Sequence, residues 1–258
     1  KIVLLAFVSA LLLLATFGTQ ITLPVTASTT HNIYSSLHSN LPVHNINTTL
    51  NYLTIQEAIN APETLDGHMI QVDAGTYYEH VNVNKTVSLI GENPANTIID
   101  GNGTGIVVRI RASNVTIRGF TIQNGGNFGV DCGIYVTNHT EKISNNIIRN
   151  NCNGIWLQRS NGNDIIDNLV WNNTWGVRIS ESNKSIIHGN TMANNSYGVW
   201  IPSTSATLNT FYHNNFIDNE NQAIDFGSSK WDNGAEGNYW SDYTGLDDGS
   251  DGRVAGDG

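Results

Sequence analysis

Four segments of this chain open with a glycine and an alternating apolar run: Gly133-Ile-Tyr-Val, Gly154-Ile-Trp-Leu, Gly176-Val-Arg-Ile and Gly198-Val-Trp-Ile. Their glycines stand 21, 22 and 22 residues apart. In each unit a Ser/Asn-rich turn leads to an Asn ahead of a short apolar pair, at Asn146, Asn168, Asn190 and Asn215. A second Asn closes the unit at Asn150, Asn172, Asn194 and Asn219. Constant spacing near 22 sets each residue above its counterpart in the next coil, about 4.8 Å away, as parallel strand neighbours require. The interior then becomes aliphatic columns: Ile134, Ile155, Val177 and Val199; Val136, Leu157, Ile179 and Ile201; Ile148, Val170, Met192 and Ile217. The repeated Asn residues are expected to form ladders at the bends, each amide donating to and accepting from its neighbours or the turn backbone. Helical repeats do not fit, because no unit carries a 10-residue stretch of i, i+3, i+4 apolar spacing. Leucine-rich repeats require Leu where this chain has Ile, Val and Gly. The expected fold is all-β, a single-stranded right-handed parallel β-helix solenoid.

Earlier coils are legible at Val81-Asn-Val, Val87-Ser-Leu-Ile-Gly, Val108-Arg-Ile and Val115-Thr-Ile. Before them, Thr54 followed by Gln56-Glu-Ala-Ile reads as an N-capped short helix with Ile55 and Ile59 on one face, suited to cover the open end of the stack. Residues 2–17 are almost wholly apolar, too short for a comfortable span, and run into Thr/Ser-rich sequence. Residues 1–27 therefore read as a signal peptide lacking its n-region, with Val25-Thr-Ala as cleavage site; an uncleaved anchor is the rival reading. Residues 28–50 read as a linker, 51–243 as the β-helix and 244–258 as an acidic Asp/Gly-rich tail. After signal cleavage no membrane insertion is expected. The balance of 12 Lys+Arg against 22 Asp+Glu gives −10, which repels phosphate backbones and makes nucleic acid an unsuitable partner. Eight Asn-x-Ser/Thr sequons (Asn47, Asn84, Asn102, Asn114, Asn138, Asn172, Asn183, Asn194) permit glycosylation without arguing for it in so Asn-rich a chain.

The stretches Thr54-Ile-Gln-Glu-Ala-Ile-Asn, Ile70-Gln-Val-Asp-Ala-Gly-Thr-Tyr-Tyr-Glu, Val87-Ser-Leu-Ile-Gly-Glu-Asn, Ile98-Ile-Asp-Gly-Asn-Gly and Val115-Thr-Ile-Arg-Gly-Phe-Thr-Ile resemble the NosD-like β-helix family. That family belongs to the pectin-lyase-like superfamily, whose repeats are also described as a carbohydrate-binding and sugar-hydrolase type domain. The resemblance covers residues 52–243 and includes Gly237-Asn-Tyr-Trp-Ser-Asp-Tyr, an ending similar to that of surface-located members. It implies the fold and export. It leaves function open, because one fold hosts lyases, hydrolases, epimerases, adhesins and accessory proteins.

Two residues after each repeat glycine stand Tyr135, Trp156, Arg178 and Trp200, flanked by inward apolar residues and so pointing outward, with Arg109 and Asp225 as continuations. Such a column suits a polysaccharide or cell-envelope glycan: ring faces lie against sugars while Arg and Asp address hydroxyls. The plain alternative is a ladder that stabilises the sheet by itself. Trp175 and Tyr197 make a second short column of unassigned direction. For polysaccharide cleavage, the alternative function, the available groups are Asp131, Glu181, Asp225 and Arg178, a set that would need Ca²⁺ and a convergent base. The resemblance also raises copper-site maturation as an accessory role, but the His residues, among them His139, His188 and His213, fall at non-equivalent offsets, and Met69 and Met192 stand alone. Cys132 and Cys152 sit at nearly equivalent positions of adjacent coils, where a disulfide and two buried thiols are equally consistent readings. Asp247, Asp248 and Asp251 resemble the opening of a calcium loop in an otherwise solvated acidic tail. The favoured reading is a non-catalytic exported binding protein that requires no cofactor.

Overall fold

A computed structural model describes residues 41–137 and 140–245. The signal segment, His139 and the acidic triplet Asp247, Asp248 and Asp251 lie outside the described residues.

The chain winds through about eight coils of a parallel β-solenoid. Each coil contributes one short strand to each of three walls. In the coil that carries the second repeat glycine, wall 1 is Lys142–Ser144, wall 2 is Ile147–Arg149 and wall 3 is Asn153–Gln158. Among the described residues the walls contain ten, eight and seven strands. Register follows the repeat: Ile134, Ile155, Val177 and Val199 pair in sequence along wall 3, as do Ile148, Val170 and Met192 along wall 2. These residues are fully buried. The fourth member of the wall 2 column is Phe216, which pairs with Met192, and not Ile217, which is partly exposed. Met192 and Phe216 stand 24 residues apart, against 22 for Ile148 to Val170 and Val170 to Met192, and the longer step moves the match off the expected position.

The repeat glycines are stacked, and close approach explains them. A Cβ on Gly154 would lie 2.5 Å from the carbonyl oxygen of Gly176, and one on Gly176 2.5 Å from that of Gly198.

Buried Asn side chains close the corners. Between walls 1 and 2, Asn146 donates its backbone N–H and Nδ2 to Asn168 Oδ1; Asn168 does the same to Asn190, Asn190 to Asn214 and Asn214 to Asn238. Between walls 2 and 3 the ladder runs Asn151, Asn173, Asn195, Asn219. The repeat therefore pointed to the right corners, but the buried ladders run through Asn214, Asn151, Asn173 and Asn195 rather than Asn215, Asn150, Asn172 and Asn194, while Asn150 and Asn172 bond to each other outside the buried row. The first Asn at the second corner adopts positive φ (Asn150 +56°, Asn172 +54°, Asn194 +52°) and turns outward, and the next residue points in. Both corner types satisfy backbone N–H groups that would otherwise be buried unpaired.

The N-terminal end is covered by helix α1, Ile55–Asn60, with Ile55, Ala58 and Ile59 buried. Thr54 and Glu57 form a reciprocal capping box, and the Glu79 carboxylate accepts from the N–H groups of Ile55 and Gln56. The cover begins earlier than expected. Val43–Asn45, inside the stretch read as linker, pairs antiparallel with both Leu50–Tyr52 and Met69–Val72, so residues 41–50 are part of the folded end. At the other end, Trp231 stacks on Phe211 and Trp240 on Phe216, each at 4.3 Å between ring centroids. Among the described residues no helix is long and apolar enough to cross a membrane.

Candidate functional site

The outer face of wall 3 gathers the side chains with most chemical character. Its strands are Ile106–Ile110, Cys132–Thr137, Asn153–Gln158, Trp175–Ser180, Tyr197–Ile201 and Asn221–Asp225, preceded by Val81–Val83. Alternation sends every second residue outward, so Arg109, Tyr135, Trp156, Arg178 and Trp200 form one column in direct register. Trp175 and Tyr197 pair with each other and pack against Arg178 and Trp200, which puts them on the outer face beside the column and resolves the direction the repeat left open.

The column is an interlocked stack. The Arg109 guanidinium lies 5.0 Å from the Tyr135 ring centroid, Tyr135 meets Trp156 edge-on at 5.2 Å, and the Arg178 guanidinium sits 4.3 Å over Trp156 and 5.4 Å from Trp175. Tyr197 and Trp200 touch at 5.0 Å, and Trp200 meets exposed Phe226 at right angles. Trp156 is only 8 % exposed and donates Nε1–H to Ser180 Oγ, so it does not present a free ring to a ligand, contrary to the sequence expectation. It is a support on which Arg178 rests. The partly exposed rings are Tyr135, Trp175, Tyr197 and Trp200.

Arg178 is the unusual member. Its Nη1 reaches Asn153 Oδ1 at 3.4 Å, its Nε is buried without a hydrogen-bond partner, and no carboxylate pairs with it among the described residues. Burial lowers its pKa from the ordinary arginine value. A half-buried guanidinium held between two indoles and left without a counter-ion keeps donors available to oxygen atoms arriving from outside.

The remaining candidates are dispersed. Asp225 is offset by one from the column, because Trp200 pairs with Ile224; its carboxylate accepts from the N–H groups of Gly227 and Ser229 and shapes the exit turn. Glu181 occupies a positive-φ corner and pairs with Arg159 at 3.0 Å. Asp131 accepts from Phe128 N–H within the loop that precedes Cys132. Asp131, just before the strand Cys132–Thr137, and Asp225, at the end of Asn221–Asp225, belong to coils four intervals apart, about 19 Å along the axis. Asp131, Glu181, Arg178 and Asp225 thus form no convergent acid–base set. Cys132 and Cys152 are free thiols, both buried, and burial pushes both thiols up.

One buried acid escaped the sequence reading. Glu141 occupies a ladder position at the corner between walls 3 and 1: its Oε2 accepts from Val115 N–H, its own N–H donates to Asn163 Oδ1, and Oε1 has no partner. Burial pushes its pKa up to about 8. The Asn at the equivalent place in the next coil was the available signal.

Fold and face together define a parallel β-helix with an aromatic and cationic outer wall. The chain belongs to the NosD family, described as periplasmic copper-binding protein, whose profile matches residues 39–245. A cell surface glycoprotein of Methanothermus fervidus is 40 % identical over 111 residues, 42 % of this chain, and the match spans only 17 % of that relative's length. Among solved structures, ORF18 of Geobacillus virus E2 is similar with a TM-score of 0.51 at 20 % identity, over 61 % of this chain and 36 % of that one. A pectin methylesterase from Yersinia enterocolitica also gives 0.51, at 14 % identity, over 63 % of this chain and 71 % of the enzyme. These structures share the fold.

Among the described residues the donors that copper favours do not assemble. Met192 is sealed in the core, Met69 lies on the first coil, and the described histidines engage separate partners, such as Asp73 for His44 and Glu236 for His213. Among the described residues no three of His, Cys, Asp or Glu cluster as a metal site.

Proposed function

We propose that this is an exported β-helix protein that binds carbohydrate of the cell envelope on the outer face of wall 3, without catalysing a reaction there. Family membership and the surface relative support an extracellular or periplasmic location. The observation that carries the reading is the Arg178 guanidinium, supported on Trp156, flanked by Trp175 and left without a carboxylate partner. Sugar recognition uses this combination, a ring face for the apolar side of a pyranose beside a planar donor for its hydroxyls. Trp200, Tyr197 and Tyr135 extend the platform over neighbouring coils. The chain corresponds to a small part of its surface relative, so the wall would act as one module of such a surface.

The test is retention on immobilised polysaccharides, first screened across neutral and acidic wall glycans. Trp175→Ala combined with Trp200→Ala should lower retention at least about tenfold with little loss of fold. Retention equal to the parent on every glycan it binds would refute the proposal.

A further inference from the structure

The corner between walls 2 and 3 carries a second row of Asn residues outside the buried ladder. Asn124, Asn150, Asn172 and Asn194 all adopt positive φ, and the amides of the first three run in a hydrogen-bonded file along the axis. Asn124 Nδ2 donates to Asp100 Oδ2 at 2.8 Å, Asn150 Nδ2 to Asn124 Oδ1 at 3.5 Å and Asn172 Nδ2 to Asn150 Oδ1 at 2.8 Å. The file lies along an open groove of about 770 Å³, which Tyr78, 72 % exposed, flanks at its N-terminal end.

Corner geometry does not account for this row. The backbone N–H groups of Asn151, Asn173 and Asn195 are satisfied by the inner ladder. The corner between walls 1 and 2 has the same positive-φ position, and there it is filled by Asn145, Asp167, Gly189 and His213. Left-handed backbone thus accepts four residue types at one corner, while the other keeps Asn through four successive coils before taking Asp218 in the next. A requirement on the side chain is the difference. Each bridging amide of the file spends one N–H and one lone pair on its neighbours, leaving one donor and acceptor capacity per coil turned outward.

We propose that this groove is a second carbohydrate site, independent of wall 3, that takes a linear neutral oligosaccharide laid parallel to the solenoid axis. From Tyr78 to Asn194 the groove crosses five coil intervals, about 24 Å, enough for several sugar units. Uncharged amide donors and acceptors repeating every 4.8 Å or so match hydroxyl groups repeating along a chain. Tyr78 offers a ring for the terminal unit. A carboxylated glycan is disfavoured, because Asp100 is built into the file.

The experiment is calorimetric titration of the full chain with cellopentaose, laminaripentaose and maltopentaose. The chain is produced without N-glycosylation, since Thr174 and Ser196 complete sequons at Asn172 and Asn194, inside the groove. Asn150→Gly with Asn172→Gly removes the amides while glycine retains the left-handed turn. At least one pentasaccharide should bind, about tenfold or more weakly to the double glycine variant and unchanged to Trp175→Ala/Trp200→Ala. If the glycine variant fails to fold, Tyr78→Ala, on an exposed ring, should still weaken binding several-fold. No heat with any of the three sugars, or equal affinity in the groove variants, overturns the proposal. Loss confined to the Trp variant also overturns it, while leaving the wall 3 reading standing.

Discussion

At the scale of single residues, positions that look interchangeable in the repeat carry different physics. Glu141 sits where neighbouring coils place Asn or Ser, and its carboxyl has one oxygen satisfied and one buried without a partner. Its folded pKa, about 8, lies above the ordinary 4.5, so the folded state holds the proton more tightly. The stability it contributes is complete below about pH 4.5 and is lost as pH rises toward 8. Glu141→Gln, which supplies a permanent neutral acceptor, should flatten that decline; urea melts of both proteins between pH 5 and 8 measure it. Parallel curves would remove the buried acid from the account. At Gly176 a methyl group would press on the carbonyl of Gly198. Gly176→Ala should therefore cost about 1–3 kcal/mol by forcing two coils apart, read as a lowered urea midpoint.

At the scale of elements, stacks and caps divide the work. Trp156 is a buried strut and Trp200 a partly exposed ring, although the repeat gives them equivalent places. Trp156→Ala should lower stability by about 3 kcal/mol and let Arg178 move, whereas Trp200→Ala should leave the melt nearly unchanged and affect binding alone. Equal thermal shifts in the two variants would contradict this division. Sequence could not separate them, because alternation fixes which way a side chain points but not how its neighbours cover it. Arg178 above and Tyr135 below enclose Trp156, and such enclosure depends on rotamers. The same limit explains Asn214 against Asn215: both are Asn, and only the positive φ of His213 decides which of the pair turns inward. By contrast α1 was legible to its cap, since Thr54 and Glu57 stand at the spacing of a capping box and Ile55 and Ile59 on one face.

At the scale of the whole molecule, the coil repeat fixed architecture because a parallel solenoid turns equal spacing into vertical contact. What escaped it lies where the repeat lapses. The C-terminal cover is made by Trp231 and Trp240, packed on Phe211 and Phe216 and on each other at 5.5 Å between centroids, and no periodic signal announces it. Trp240→Ala should open this end, with hydrogen exchange rising in Thr207–Tyr212 and Asn215–Ile217 while Met69–Val72 and Ser88–Gly91 stay protected. Uniform exchange along the stack would show that the coils unfold as one unit without need of the cover. The column was legible as a surface but not as a site, because the burial of Arg178 and the lack of a carboxylate beside it among the described residues belong to three dimensions.

The direct measurement of the central claim is oxidative footprinting of the full chain with and without a polysaccharide that it retains. Reduced labelling at Trp175, Tyr197 and Trp200, with Trp171 on wall 2 unchanged, is the predicted pattern. Protection confined to another wall, or labelling of the three rings unaltered under saturating glycan, would contradict the assignment of wall 3 as the binding face.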